Sequence, residues 1–199
     1  MLRLFVHLLR KLLHKPATHC APFSSALCIK TSDRVKLESA NINEAQRIND
    51  LLNLAYRGKK GWTTEASLVD GDRSNISDVK LSIENSIFLI YKNNADLVAC
   101  ICLEPKGDEV YIGSFAVHPD HQAEGLGKSI LRAAETYAIN ELNSRKFIMV
   151  VLSKRTELIA FYERRGYQRS GLNKEYPLHL NVGIPKINGL TIEQLYKNA

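Results

Sequence analysis

Residues 114–131 read SFAVHPDHQAEGLGKSIL, and their types and spacing suit phosphate chemistry. An apolar, strand-like run from Tyr111 to Val117 breaks at Pro119. Beyond the loop, Leu126, Ile130, Ala134, Tyr137 and Ala138 recur at helical spacing. A strand, a loop holding Gly125 and Gly127, and a helix start together predict an anion site. The first N–H groups of a helix have no partner inside it, and the helix dipole adds positive potential there. Lys128 either adds charge at that place or stands as a solvated first-turn lysine. Two nucleotide motifs fail at specific positions. GLGKS ends like the phosphate loop of nucleotide hydrolases, but the first required glycine falls at Gln122. The dinucleotide pattern G-x-G-x-x-G needs a glycine where Ile130 stands.

The four cysteines do not form a metal-ligand pattern, and no metal is expected. Cys100 and Cys102 lie two apart in LVACICL, on one face of a strand, as buried reduced thiols. That fits an intracellular, cytoplasmic protein.

The elements that must position the loop follow from periodicity. VKLESA reads as a short strand. NINEAQRINDLLNLAYRG reads as a helix burying Ala45, Ile48, Leu51, Leu52 and Ala55 and stopped by Gly58. In GKKGWTTEASLVDGDRSN a loop and a short helix capped by Thr63 or Thr64 are expected. Its lone Trp62 beside Glu65, Asp70 and Asp72 suits an acceptor site, and those acids would favour a cationic amine if they line it. Ile76 to Asn85 reads as a helix. Three strands then form an antiparallel meander, with turns at 92–96 and 106–108. The Gly125 helix runs to about Asn143, KFIMVVLS reads as a buried strand, and RTELIAFYERRG as a helix stopped by Gly166. YQRSGLNKEYPLHLNV has room for two strands, and the last residues read as a short terminal helix. The sum is α/β with a mixed sheet in a chain of 199 residues, one domain plus a leader.

The formal charge of +6 is concentrated at one end. Residues 1–30 hold five Lys/Arg and no acid, which leaves 22 basic against 21 acidic residues in 31–199. The body is nearly neutral, so no nucleic-acid partner is expected. MLRLFVHLLRKLLHK is a basic amphipathic pattern, and residues 1–32 form the predicted leader, with 33–199 as the working domain. The leader's composition fits a mitochondrial transit peptide, a membrane-surface helix or an unstructured extension alike. Its apolar run is too short to span a membrane.

FAVHPDHQAEGLG resembles the acetyl-CoA motif of the GCN5-related N-acetyltransferase (GNAT) superfamily, V-x-P followed by [QR]-x-x-G-x-[GA]. FYERRGY, about 35 residues later, resembles that superfamily's later helix motif. The resemblance covers roughly residues 35–183 and implies a GNAT-type, mostly antiparallel central sheet flanked by helices. AYRGKKGWTTEA and the context of FYERRGY are further similar to a subgroup of uncharacterised members.

The resemblance implies an acetyl-CoA-dependent N-acetyltransferase that transfers an acetyl group to a primary amine, a small molecule or an exposed amino group, by direct attack on the thioester. It places the pantetheine arm along the main chain of Phe115, Ala116 and Val117. The pyrophosphate falls on the N–H groups of Gln122, Ala123, Glu124, Gly125, Leu126, Gly127 and Lys128, where a Cβ at either glycine would obstruct close approach or an unusual φ. Glu124 is expected to point to solvent. Tyr162 occupies the position of the general acid to the CoA sulfur. Arg155 stands near a usual asparagine contact to the cofactor, as a CoA phosphate contact or a surface ion pair. Tyr111 stands where some members carry a glutamate base. The base is therefore left open among Glu65, Glu109, Asp70 and an ordered water, with His118 facing solvent. The missing glutamate also admits a catalytically silent acyl-CoA-binding module. A membrane or nucleic-acid role through the leader is weaker. A homodimer is left open.

Overall fold

Why the body starts its first helix where it does is visible at Asn41. Its side chain accepts from the Asn43 N–H at 2.9 Å, while Glu44 accepts from the Asn41 N–H at 2.9 Å. This reciprocal cap satisfies donors that a helix start leaves orphaned. The computed structural model describes residues 35–180 and 182–199. Its elements run β1 (Glu38–Ser39), α1 (Ala45–Arg57), β2 (Val69–Asp70), α2 (Ile76–Asn85), β3 (Ile87–Asn93), β4 (Asp96–Lys106) and β5 (Glu109–Val117). After these come α3 (Leu126–Leu142), β6 (Lys146–Leu152), α4 (Thr156–Glu163), β7 (Gln168–Glu175), β8 (Ile184–Pro185) and β9 (Thr191–Asn198). The expected leader, residues 1–32, lies outside the described residues.

Seven strands form one sheet in the order β1-β3-β4-β5-β6-β9-β7, and β2 pairs with β8 in a small second sheet. Within the large sheet β5–β6 is the parallel pair and the others are antiparallel. This is the expected mixed, mostly antiparallel α/β architecture. The period-2 alternation of β3 and β4 divides the core. Phe88, Ile90, Cys100 and Cys102 pack under α1 and α2 with Ile48, Leu52 and Val79. Leu89, Ala99, Ile101 and Leu103 pack with Ile130, Leu131, Ala134 and Ile159 of α3 and α4 on the opposite face. Both cysteines are free and buried. Burial pushes the Cys100 thiol up to about 12, so it stays protonated.

Three expectations fail. Residues 59–75 form no helix; a single turn after Thr64 leads into β2, which pairs with β8. Thr64 Oγ1 caps that turn by accepting from the Ala66 N–H at 3.2 Å, and it donates toward the Tyr56 and Gly58 carbonyls, closing the loop onto the end of α1. Residues 168–175 form one strand, not two, with an irregular register between Arg169 and Asn173 where Gly171 takes φ +76°. The terminal segment is a strand. Ile192 and Leu195 stand three apart, a helical spacing, but β9 slots between β6 and β7, finds ladder partners on both sides and sends the two residues into different buried clusters. That pairing buries Leu195 completely.

Candidate active site

The site begins with one extra residue in β5. Cys100 pairs with Ala116 and Cys102 with Gly113, so Ser114 and Phe115 together oppose Ile101. Ser114 takes φ +46° at this bulge. A bulge bends and twists its strand. The parallel ladder between β5 and β6 accordingly covers only Glu109–Tyr111 against Lys146–Ile148. Beyond it the two strands separate, and the gap is a cleft walled by residues 111–115 of β5 and 149–152 of β6. Among the described residues no strand pairs with the cleft-side backbone of β5 there. Tyr56 Oη donates to the Phe115 carbonyl at 3.1 Å from the end of α1.

Charged and phenolic side chains close the cleft. Glu65, Arg57, Arg73, Arg155, Tyr56, Tyr111, Tyr162 and Tyr176 all line it. Glu65 accepts from Arg57 on one carboxylate oxygen and from Arg155 Nη1 on the other at 2.9 Å. Burial alone would raise the Glu65 carboxyl, but Arg155, Arg73 and Arg57 overcome it and hold the group below the ordinary carboxylate value. Arg155 Nη2 also donates to Thr63 Oγ1 at 3.0 Å, and Thr63 to Glu157 Oε1 at 2.8 Å. These bonds latch the loop after α1 onto α4. Tyr162 sits on α4 with its ring edge-on to Phe161 and Tyr167. Burial, with Tyr56 adding to it, pushes its phenol well above the usual range.

The predicted phosphate loop borders the cleft at Phe115, whose ring a Cβ on Gly127 would meet at 3.9 Å. Gly125 is the N-cap of the 17-residue α3 at φ +81°, and Ala123 takes φ +69°. Ser129 N–H to the Gly125 carbonyl is the first intrahelical bond, leaving the N–H groups of Leu126, Gly127 and Lys128 without an acceptor in the helix. Glu124 and Lys128 are exposed. Gln122 differs from expectation. Its own N–H donates to the Pro119 carbonyl, its Nε2 donates to the Val117 carbonyl at 2.9 Å, and its Oε1 accepts from the Trp62 N–H at 2.6 Å. It is a strut tying β5, the loop and Trp62 together. The Trp62 ring stands 5.7 Å from that of Phe161.

Other expected residues are placed differently. Glu109 lies on the paired stretch of β5, outside the cleft lining, bonded to Lys146 Nζ at 2.8 Å. It precedes the splay, because the strands part only after Tyr111. Arg155 is not a surface ion pair; it is 6% exposed, with Nη1 bonded to Glu65 and Nη2 to Thr63. Asp70 is largely exposed beside Lys186, and neither Asp70 nor Asp72 lines the cleft. At Gly127 a Cβ would meet Phe161, Val117 and Phe115 at ordinary distances of 3.7–3.9 Å, so the protein itself does not require glycine there. Gly125 does, through its φ.

Tyr56, Arg57, Arg73 and Tyr176 were not singled out from the sequence. Tyr56 carried a signal, since it follows Leu52 by four on the buried face of α1 and is a polar exception there.

A sheet opened by a bulge between its parallel strands, with a glycine-capped helix N-terminus at the opening, defines a GNAT-type acetyltransferase fold. The Acetyltransferase (GNAT) family matches residues 45–167, more than half of the chain, and the protein belongs to that family. The chain is similar to the uncharacterized N-acetyltransferase YitH of Bacillus subtilis, 25% identical over 135 residues, 67% of this chain. It spans only 42% of that relative's length. A GNAT family acetyltransferase from Elizabethkingia anophelis with acetyl-CoA bound superposes with a TM-score of 0.63 at 17% identity, over 84% of this chain and 100% of the other. The PaiA N-acetyltransferase of Thermoplasma acidophilum, in complex with coenzyme A, does so with a TM-score of 0.64 at 14% identity, over 84% and 100%. Among the described residues no helix is long and apolar enough to cross a membrane.

Proposed function

We propose that the protein is an acetyl-CoA-dependent N-acetyltransferase acting on a primary amine, with residues 33–199 as its catalytic domain. The observation that carries this is the cleft between β5 and β6, with the α3 N-terminus bordering it at Phe115. The residues present fit acetyl-CoA. The N–H groups of Leu126, Gly127 and Lys128 suit its pyrophosphate, and the open edge of β5 at residues 112–115 suits its amide-bearing arm. The crystal forms of two fold relatives that hold coenzyme A or acetyl-CoA support the same choice.

Acetyl-CoA supplies an activated acyl carbon: a C–N bond to the amine forms, the C–S bond breaks, the amine loses a proton and the sulfur gains one. In this reading Tyr162 donates the proton to sulfur. Its burial keeps the phenol protonated through the neutral range, as a donor must be. Glu65 is a poor proton acceptor, since three arginines favour its ionised form and two of them occupy both its oxygens. Glu109 lies outside the cleft. The proton from the amine therefore passes to water, and the pH profile follows the acceptor's own amine.

Calorimetric titration with acetyl-CoA, followed by thiol release across a panel of amines, tests the proposal. No binding would sink it. Binding without thiol release from any amine would leave an acyl-CoA-binding module, a reading favoured by the locked state of Glu65.

A further inference from the structure

The polar lining of the cleft has an imbalance. Three guanidiniums, Arg57, Arg73 and Arg155, line it with one carboxylate, Glu65. Glu104 acts on the Tyr111 phenol but is not in the lining. Arg57 spends its donors on the Gly71 carbonyl, Glu65 and the Val182 carbonyl, and is a fixture of the wall. Arg155 is not fully spent. Its guanidinium is buried and bonded through Nη1 and Nη2, yet Nε has no hydrogen-bond partner among the described residues.

The Tyr111 hydroxyl is in the same state, buried without a partner among the described residues. Tyr56 lines the same cleft, its ring 5.7 Å from the Arg155 guanidinium and 5.0 Å from that of Arg73, and Arg73 and Tyr56 both act electrostatically on the Tyr111 phenol. A buried donor left unmade is costly, and two of them in one positively charged cleft call for an acceptor. Glu65 accepts from Arg57 and from Arg155 Nη1 but bonds neither Arg155 Nε nor the Tyr111 hydroxyl.

We infer that the amine acceptor carries a compact oxyanion, and that Arg155 and Tyr111 receive it. This deepens the acetyltransferase reading and rests on it. Charge-assisted bonds from a guanidinium and a phenol suit a carboxylate or a phosphate monoester. The cationic amine suggested by Glu65, Asp70 and Asp72 is thereby replaced. Polyamines and other acceptors without an anionic group meet two orphaned donors and a repelling field in this cleft.

Matched acceptors test this by thiol release: L-alanine against ethylamine, L-phenylalanine against phenethylamine, L-methionine against 3-(methylthio)propylamine, and O-phosphoethanolamine against ethanolamine. The anionic member of a reacting pair is expected to have the higher kcat/KM by about ten-fold or more. The phosphate arm tells which oxyanion is preferred. Tyr111→Phe, which removes an orphaned hydroxyl and leaves no partner stranded, is expected to melt like the parent and raise KM for the anionic acceptor about ten-fold. Calorimetry of the same anionic acceptor on the CoA-saturated protein is expected to weaken by the same factor. Anion-free amines that react as well as their anionic partners would overturn the inference. So would a Tyr111→Phe enzyme that keeps the parent's selectivity and loses only kcat, which would place the hydroxyl at the thioester instead. In both cases acetyl transfer itself stands, whereas failure to bind acetyl-CoA removes the activity and the inference together.

Discussion

Tyr162 and Glu65 are both buried in the cleft, and their surroundings give them opposite jobs. The Tyr162 phenol is kept neutral by burial, so Tyr162→Phe keeps its packing against Phe161 and Tyr167 while losing the proton. Turnover by thiol release is expected to fall about 100-fold with acetyl-CoA affinity unchanged in calorimetry. Unaltered turnover would take Tyr162 out of the chemistry. Glu65 is held ionised, and its worth is structural. Glu65→Gln leaves Arg57 and Arg155 facing each other without a counter-charge and is expected to cost about 3–5 kcal/mol at neutral pH. Because the folded carboxyl lies below its ordinary value of 4.5, its stabilisation is present above that pH and lost as the pH falls through the lowered value. The gap between urea melts of parent and variant should therefore begin to narrow below pH 4.5 and close only beneath the lowered value. A gap that stays constant down to acid pH would contradict the assignment.

At the scale of elements, one bulge and one helix start do most of the positioning. The extra residue at Ser114–Phe115 parts β5 from β6, and α3 begins beside the parted ends. The two glycines of the loop separate by cause. Gly125 needs its positive φ, so Gly125→Ala is expected to cost about 1–2 kcal/mol and to distort the anion site. Gly127→Ala meets only ordinary contacts and is expected to melt like the parent. A loss of acetyl-CoA affinity in Gly127→Ala without loss of stability would then report close approach of the ligand to that Cα. Equal melting of both variants would refute the distinction.

For the whole molecule, the three buried clusters among the described residues are built from residues 35–195. A chain beginning at residue 33 is expected to match the full chain in thermal melt and acetyl-CoA titration; a drop in either would make residues 1–32 part of the working domain. Local pattern sufficed wherever neighbours in sequence decide the outcome. The buried face of α1, the meander of β3 to β5, the α3 start at Gly125 and the position of Tyr162 on α4 were all legible, since helical and strand periods and turn residues act within a few positions. The segment at 191–198 was not, because its apolar spacing of three reads as helical and its partners on β6 and β7 lie outside the segment. Nor was the cleft's charge. Glu65 and Arg155 are 90 residues apart, and only the sheet that brings the end of β6 beside the loop after α1 makes them a pair. The amino-acid sequence by itself determined most of the elements, the helix start at Gly125 and the family; tertiary structure decided that the acids meant for a cation are spent or outside, and that Arg155 Nε and the Tyr111 hydroxyl meet in one cleft without partners among the described residues.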